Sequence, residues 1–441
     1  MKLLRTDEQT ISDLELFGKK NGGGIIDIYN HVHTRGGETL LSEMFRHPLS
    51  DKQAINRRSS IIEHFARLNI RFPYHTSVFD TAEKYLSYTE TEIKAKGNQV
   101  ALGEKEIQSG VGAIIEVFRV TFSFMDQPEL KRIDAYTEER ESILKLITAP
   151  VFEPVLKESE KGRMSYSAVT AFDALFRVAQ TDKVKQLLEA IYQLDVYMSV
   201  AKTAVERKFV FPKALEKGKA VLNLEGVYHP SLKKPVPNDL HMHDAKNVLF
   251  LTGANMAGKS TFLRSLSTAL YIAHMGFPVA AASMEFSVLD GIYTTINLPD
   301  NLGIGASHFY VEVLRVKKMA QELDGDGSFF ILFDELFRGT NVKDAHEATV
   351  AVIKGFARKR NSMFIVSSHI VEAGDQLQAT NNIDFRYLPT RMNGNVPAYT
   401  YQLESGITDD RHGMIIIRNE GILDILATGK KESTQISTAH V

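Results

Sequence analysis

The sequence predicts an α + α/β fold, with a mainly helical first half and a mixed, mostly parallel sheet in the second half. In the first half, apolar residues recur at spacings of three and four, the period of packed helices. In the second half, short continuous apolar runs alternate with helical patterns, as in sheets buried on both faces. Because 441 residues exceed one ordinary core, we expect domains at 1–222 and 223–428 and a polar tail at 429–441.

Two apolar stripes predict long helices in the first half. The first consists of Val184, Leu187, Ile191, Leu194, Met198, Ala201 and Val205. The second consists of Ile107, Val111, Ile114, Ile115, Phe118, Phe122 and Met125. We interpret both stripes as faces for helix–helix packing.

A glycine-flanked loop follows the apolar run Val248–Leu251 and opens a predicted helix. Glycines at both ends let successive backbone N–H groups converge on phosphates, and the helix directs its positive dipole end at the same anion. Lys259 supplies a positive charge for the β- and γ-phosphates, and the Ser260 hydroxyl is a Mg²⁺ ligand. The pattern predicts a nucleotide-binding loop made of Gly253, Ala254, Asn255, Met256, Ala257, Gly258, Lys259, Ser260 and Thr261.

A second apolar run, Phe329–Phe333, reads as a buried strand and ends in two adjacent carboxylates, Asp334 and Glu335. Burying unpaired charge is costly, so packing alone does not explain them. We expect Asp334 to hold Mg²⁺ together with Ser260. We expect Glu335 to orient or deprotonate the attacking water.

A third buried run, Met363–Val366, leads to Ser367-Ser368-His369. A histidine at that strand end can contact the γ-phosphate or its water. We therefore predict His369 to act with Lys259 and Glu335 in nucleotide hydrolysis.

These segments together resemble the ATPase domain of the MutS family, DNA mismatch-repair ATPases of the ABC class. The resemblance lies in Gly253–Thr261, in Phe-Asp-Glu-Leu-Phe-Arg-Gly-Thr-Asn at 333–341, and in Ser368-His369. It implies ATP and Mg²⁺ as cofactors. Ala254 and Ala257 replace the family's usual Pro and Gly without removing a phosphate ligand.

The family's signature loop is matched by Gly-Ala-Ser-His-Phe-Tyr-Val-Glu at 305–312, with His308 in place of the usual threonine. The resemblance implies a homodimer through the ATPase domains, in which Ser307 reaches in trans to the other subunit's γ-phosphate. The approach segments 225–230 and 236–239 also match. Pro235 stands where the family usually has an aromatic that stacks on adenine, which leaves base selectivity open.

Residues 7–70 are similar to the opening of the family's helical core, or lever, domain, and 71–184 are assigned to that domain by position alone. No segment matches the Phe-x-Glu wedge domain that contacts mispairs in full-length members. Nothing after Gly421 supplies the nuclease domain of another subfamily. We therefore expect a reduced form of the family, made of the lever and ATPase domains, and leave open whether it recognises mismatches directly.

The resemblance implies a DNA-binding ATPase, an ATP-dependent dimeric clamp or motor in mismatch repair or related DNA maintenance, with mostly backbone contacts to DNA. A net charge of −2 argues against a generally basic DNA-binding surface. The alternative is therefore an ATP-gated interaction module for an unidentified protein partner, with no direct DNA role. A transporter ATPase is less favoured because no Leu-Ser-Gly-Gly-Gln signature occurs. A small-molecule kinase is less favoured because the Asp334, Glu335 and His369 set suits water activation.

Several further features of the sequence indicate the cellular environment of the protein and the kinds of site it can contain. Cysteine is absent, which excludes disulfides and thiolate sites. The amino terminus lacks the apolar core of a signal peptide, and the apolar stretch 269–284 is interrupted, so we expect a cytoplasmic protein without a membrane span. Two His-x-His pairs, at 31–33 and 241–243, lack a third ligand and are interpreted as structural. Asn393-Gly394 lies between the segments 385–388 and 399–403 and predicts a hairpin of these two segments that adds antiparallel strands to the sheet.

Overall fold

The computed structural model describes residues 2–18, 23–68, 70–88, 102–158, 164–298, 308–393, 396–408, 417–418 and 420–428. The chain divides into two compact units. The first comprises Met1–Lys217 with Thr268–Gly291, and the second comprises Gly218–Ser267 with Ile292–Val441.

The first unit is built mainly of helices, as the sequence predicts. They span Glu8–Asp13, Ile25–Tyr29, Arg35–Arg46, Lys52–Leu68, Thr76–Leu86, Glu104–Met125, Pro128–Lys131, Thr137–Ile147, Glu153–Lys157, Tyr166–Ala174 and Thr181–Arg207. Short 3₁₀ turns cover Asp134–Tyr136 and Pro150–Phe152, and a π-helical segment covers Leu175–Ala179. Two strands of this unit, β1 (Lys213–Leu215) and β5 (Ser283–Ser287), pair in parallel.

Both predicted long helices form, and most of each apolar stripe is buried. Three members are exceptions: Val205 is 53% exposed, Phe122 is 42% exposed, and Ile107 is only partly buried. The stripe on the helix Glu104–Met125 was wrong at Phe122, whereas its last member, Met125, is fully buried. Val117, Thr121 and Phe124 occupy the core instead.

The buried carboxylate of Asp195, on the helix Thr181–Arg207, fixes the segment that enters the helix Arg35–Arg46. It accepts hydrogen bonds from the backbone N–H groups of His33 and Thr34, each at 2.9 Å, and from the Thr34 hydroxyl at 2.8 Å. The His33 Nδ1 atom lies 3.1 Å from the same carboxylate. A buried charge is tolerated when it is fully hydrogen-bonded, so this cluster ties two distant parts of the unit together.

The second unit contains a six-stranded sheet in the order β12-β9-β4-β8-β7-β6. Pairing is parallel between β4 and β8, β4 and β9, and β7 and β8, whereas β12 runs antiparallel to β9. The strands are β4 (Val248–Gly253), β6 (Gly291–Thr295), β7 (Phe329–Phe333), β8 (Met363–Ser367), β9 (Ile383–Leu388) and β12 (Glu404–Ser405). The predicted mixed, mostly parallel sheet is confirmed.

Helices of the described part of this unit span His308–Glu322, Val342–Phe356, Val371–Leu377 and Ile422–Thr428. A further helix, Lys259–His274, begins in this unit, and its residues from Thr268 belong to the first. Two further strands, β2 (Leu222–Val227) and β3 (Asn238–Met242), pair antiparallel and precede β4.

The predicted hairpin forms, but with other strands than expected. β10 (Thr390–Asn393) pairs antiparallel with β11 (Val396–Tyr399) as a two-stranded sheet of its own. Its turn residues 394–395 lie outside the described residues. The antiparallel strand of the main sheet is instead β12, because the chain leaves the hairpin after Tyr399 and returns to β9 only at Glu404.

Within the described residues, one helix, Glu104–Met125, has the length and mean hydropathy of a membrane span. Half of its apolar window is buried inside the protein. A core helix passes the same test of length and composition.

Candidate functional site

The predicted phosphate loop connects β4 to the helix that begins at Lys259. Its backbone is held at positive φ in three places: Gly253 at +146°, Met256 at +69° and Gly258 at +95°. A Cβ atom at Gly258 would lie 2.9 Å from the Cδ1 atom of Tyr401. Gly258 is therefore required both by its conformation and by a close neighbour.

The side chain of Lys259 is folded back over this loop. Its Nζ atom donates hydrogen bonds to the carbonyl oxygens of Gly253 at 2.8 Å and Ala254 at 3.2 Å. The side chain is buried, and that burial lowers the pKa of the Lys259 ammonium. The charge is thus held at the mouth of the loop, where the phosphates of a nucleotide would lie.

Asp334, at the end of β7, brings together hydroxyl groups from the phosphate-loop helix and from β8. The Ser260 hydroxyl donates to its Oδ2 atom at 2.5 Å, and the Ser367 hydroxyl donates to Oδ1. The two residues predicted to share Mg²⁺ are therefore in direct contact. Their oxygen atoms are of the donor type that Mg²⁺ prefers, so the residues present fit this ion. Ser367 was not predicted, because nothing in its local sequence distinguishes it from a strand-end serine.

Glu335 and His369, also at neighbouring strand ends, form a pair. The His369 Nε2 atom lies 2.7 Å from the Glu335 Oε1 atom, and the Arg338 Nη1 atom lies 3.5 Å from Oε2. The hydrogen bond with His369 is the main cause that lowers the pKa of the Glu335 carboxyl. Glu335 has φ +58°, a conformation that costs a non-glycine residue free energy and that is common at functional sites.

A cavity of about 280 Å³ lies beside the phosphate loop in the second unit. Gly258, Thr261 and Phe262 line one side, and Tyr228 and Tyr401 are among the remaining lining residues. Pro235, which stands at the family's adenine-stacking position, does not line it.

Tyr401 is held beside the loop by Asn238. The Asn238 Nδ2 atom donates to the Tyr401 carbonyl at 2.9 Å, and its Oδ1 atom accepts from the Leu403 N–H at 2.7 Å. Tyr401 itself has φ +57°. Sequence reasoning missed this aromatic, because it lies far along the chain from the loop and no local motif marks it.

Ser307 and the rest of the predicted signature loop up to that residue lie outside the described residues. The helix that follows begins at His308 and contacts the segment after Glu335. A Cβ atom at Gly339 would lie 2.5 Å from the backbone nitrogen of Phe309, so this glycine permits a close backbone approach. Burial raises the pKa of the nearby Glu312 carboxyl, which accepts a long hydrogen bond of 3.5 Å from the Gly339 N–H.

Among the described residues, no group of three or more histidine, cysteine, aspartate or glutamate side chains is arranged to hold a metal ion. His241 and His243 are both exposed, on either side of the buried Met242. His33 is engaged by Asp195.

Comparison with known protein families gives two matches in order along the chain. Residues 9–201 match MutS domain III, and residues 249–437 match MutS domain V.

Individual relatives are distant and longer. The chain is 25% identical to "DNA mismatch repair protein MSH7" of Arabidopsis thaliana, with 83% of this chain and 37% of that protein covered. It is 28% identical to "DNA mismatch repair protein MutS" of Geobacillus thermodenitrificans, with 75% and 37% covered. It is 26% identical to the protein of the same name from Leuconostoc mesenteroides, with 80% and 41% covered. The chain thus spans about two fifths of the length of these relatives.

The two matched domains together cover most of the chain, and they coincide with a helical region and with a mostly parallel sheet that carries the glycine-flanked loop. From its sequence, its fold and these matches, we conclude that the chain belongs to the MutS family.

Proposed function

We propose that this chain binds ATP with Mg²⁺ through the loop Gly253–Thr261 and hydrolyses it. One observation carries the proposal: a lysine and a serine at the loop meet two carboxylates and a histidine from the ends of β7 and β8. The contacts are those of Ser260 with Asp334 at 2.5 Å and of Glu335 with His369 at 2.7 Å. Phosphoryl transfer to water requires little more than such positioned charges and a positioned water.

Each side chain has a distinct task in this proposal. Lys259 would exchange its loop carbonyls for phosphate oxygens, and Ser260 and Asp334 would hold the Mg²⁺ ion. The bound ion would supply positive charge that offsets negative charge on the phosphates. Glu335 orients the attacking water; its lowered pKa makes it a carboxylate that stays ionised and is a weak proton acceptor. His369 acts as a positioning residue that fixes Glu335.

Replacement of Glu335 by glutamine tests the hydrolytic role. Glu335→Gln keeps the size of the side chain and removes its charge, so we expect ATP to bind and turnover to fall by about 100-fold or more. Glu347→Gln, an exposed glutamate on the helix Val342–Phe356, is the matched control and should turn over like the unmodified protein. Equal turnover in both variants would contradict the assignment.

We further propose that two copies complete each other's ATP sites, with Ser307 acting in trans. Ser307→Ala and Lys259→Ala chains should each be inactive alone. Mixed, they should regain about a quarter of the original turnover, because half of randomly formed dimers contain one complete site. No recovery in a mixture shown to exchange subunits would count against completion in trans.

The wider proposal is a dimeric, DNA-associated ATPase in mismatch repair or related DNA maintenance, with domains at 1–222 and 223–428. The similarity to DNA mismatch repair proteins supports it. A net charge of −2 favours the second candidate, an ATP-gated module for a protein partner.

ATP turnover without DNA and with matched, mismatched and branched duplexes, measured at low salt, separates the two candidates. Stimulation by DNA that weakens as salt rises supports the first. Turnover indifferent to every DNA supports the second.

A further inference from the structure

The first unit contains a cavity of about 530 Å³ whose lining residues take no part in the proposed ATP site. Its volume is in the range of small-molecule sites, roughly 300–1,000 Å³. Part of the cavity wall is apolar and consists of Phe65, Ala66, Ile70, Phe72, Met198, Ala201 and Val205. Val205 is 53% exposed although it lies on the apolar stripe of its helix, so this wall keeps hydrophobic surface in contact with water.

The same lining also carries four basic side chains: His31, His33, Arg71 and Lys202. Among the described lining residues, Glu206 is the sole carboxylate. Its Oε2 atom lies 3.6 Å from the His31 Nε2 atom, and its Oε1 atom lies 3.9 Å from the Lys202 Nζ atom. One carboxylate shared in this way leaves the cavity with surplus positive charge.

One of the basic side chains, His33, is fixed in place by the fold. The His33 ring is held by the buried Asp195 and stacks on Phe72, with ring centroids 5.0 Å apart and planes at 16°. Burial lowers the pKa of His31, and the positive charge of Lys202 lowers it further, against the opposing effect of Glu206.

We propose that this cavity binds a small organic anion with a flat aromatic body. The body lies against the apolar part of the cavity wall, where Phe65, Phe72 and Met198 offer aromatic and sulfur contacts. The anionic group, a phosphate, sulfonate or carboxylate, is bound by Arg71 and Lys202, since charge-assisted hydrogen bonds to these groups are strong and directional.

A pair of fluorescent probes tests separately whether the cavity recognises the aromatic body and the anionic group. The full chain is used, with ATP and Mg²⁺ present in excess. Anilinonaphthalene sulfonate has the required aromatic body and anionic group, and phenylnaphthylamine is the same body without the sulfonate. We expect the sulfonate to bind at least about tenfold more tightly, the effect of one or two charge-assisted hydrogen bonds. Equal affinity would overturn the recognition of an anion.

Substitutions of residues that line the cavity test whether the sulfonate probe binds there. Arg71→Gln combined with Lys202→Gln should weaken the sulfonate about tenfold or more, whereas Lys145→Gln, an exposed lysine outside the cavity lining, should not. Val205→Trp fills the cavity from an exposed position and should also block binding without unfolding the unit, which circular dichroism checks. Unchanged binding in both cavity variants would overturn the site.

Competition by phenyl phosphate and by benzoate identifies the anionic group. Displacement of the bound sulfonate by either supports the proposal, and the order of affinity ranks phosphate against carboxylate. Displacement by neither overturns it. None of these readouts depends on ATP turnover, so their failure is distinguishable from failure of the proposed hydrolysis.

Discussion

His274 makes the stability of the first unit sensitive to mild acid. Its ring is fully buried and packs on Phe286, with ring centroids 4.8 Å apart. The Nδ1 atom donates to the Leu270 carbonyl at 2.8 Å, and the Nε2 atom accepts from the Leu289 N–H at 3.1 Å. The neutral ring satisfies both contacts, whereas a second proton on Nε2 would face another N–H donor. Burial accordingly lowers the pKa of His274 from 6.5 to about 4.

The sign of the effect follows from where the proton binds. Below pH 6.5 the unfolded chain takes up a proton at this position, and the folded unit does so only near pH 4. Stability from the neutral ring is therefore complete above about pH 6.5 and is lost as the pH falls towards 4. Linkage with these two values gives a loss of about 2 kcal/mol between pH 7.5 and pH 5.

Urea unfolding followed by circular dichroism at both pH values measures this loss. Other groups also titrate, so the informative quantity is the difference between the unmodified protein and His274→Gln, which cannot titrate. We expect the variant to lose about 2 kcal/mol less on acidification, while His75→Gln, an exposed histidine, behaves like the unmodified protein. Equal acid losses in all three proteins would refute the reasoning.

Three further substitutions probe the second unit. If the Tyr401 ring stacks on the base, Tyr401→Ala should weaken ATP binding by about 1–3 kcal/mol, whereas Tyr401→Phe should leave it unchanged. Measurement of the equilibrium dissociation constant for ATP in both variants tests this. Ser367→Ala removes a hydrogen-bond donor from the proposed magnesium ligand, so half-maximal turnover should need about 10- to 100-fold more Mg²⁺. An unchanged Mg²⁺ requirement would contradict this role for the serine. Gly339→Ala places a Cβ atom 2.5 Å from the Phe309 backbone and should cost about 1–3 kcal/mol in thermal unfolding, whereas Gly355→Ala, with open space around it, should be neutral or stabilising.

The sequence by itself determined those elements of the structure that depend only on residues consecutive in the chain. The strand Phe329–Phe333 has the predicted ends, and the predicted run Val248–Leu251 lies inside β4. A continuous apolar run between polar segments fits a strand buried on both faces. The glycine-flanked loop and the long helix Thr181–Arg207 were predictable for the same reason, since φ requirements and a helical period are properties of consecutive residues.

The tertiary structure decided which residues from distant parts of the chain meet. Ser367 contacts Asp334, and Tyr401 lies beside Gly258, although neither stands in a motif that marks it. Phe122 faces water rather than the core because the neighbouring helices, and not its own spacing, set the buried face. Sheet order brings the carboxyl ends of separate strands to one edge, and the long-range packing that fixes this order is not encoded in any short segment.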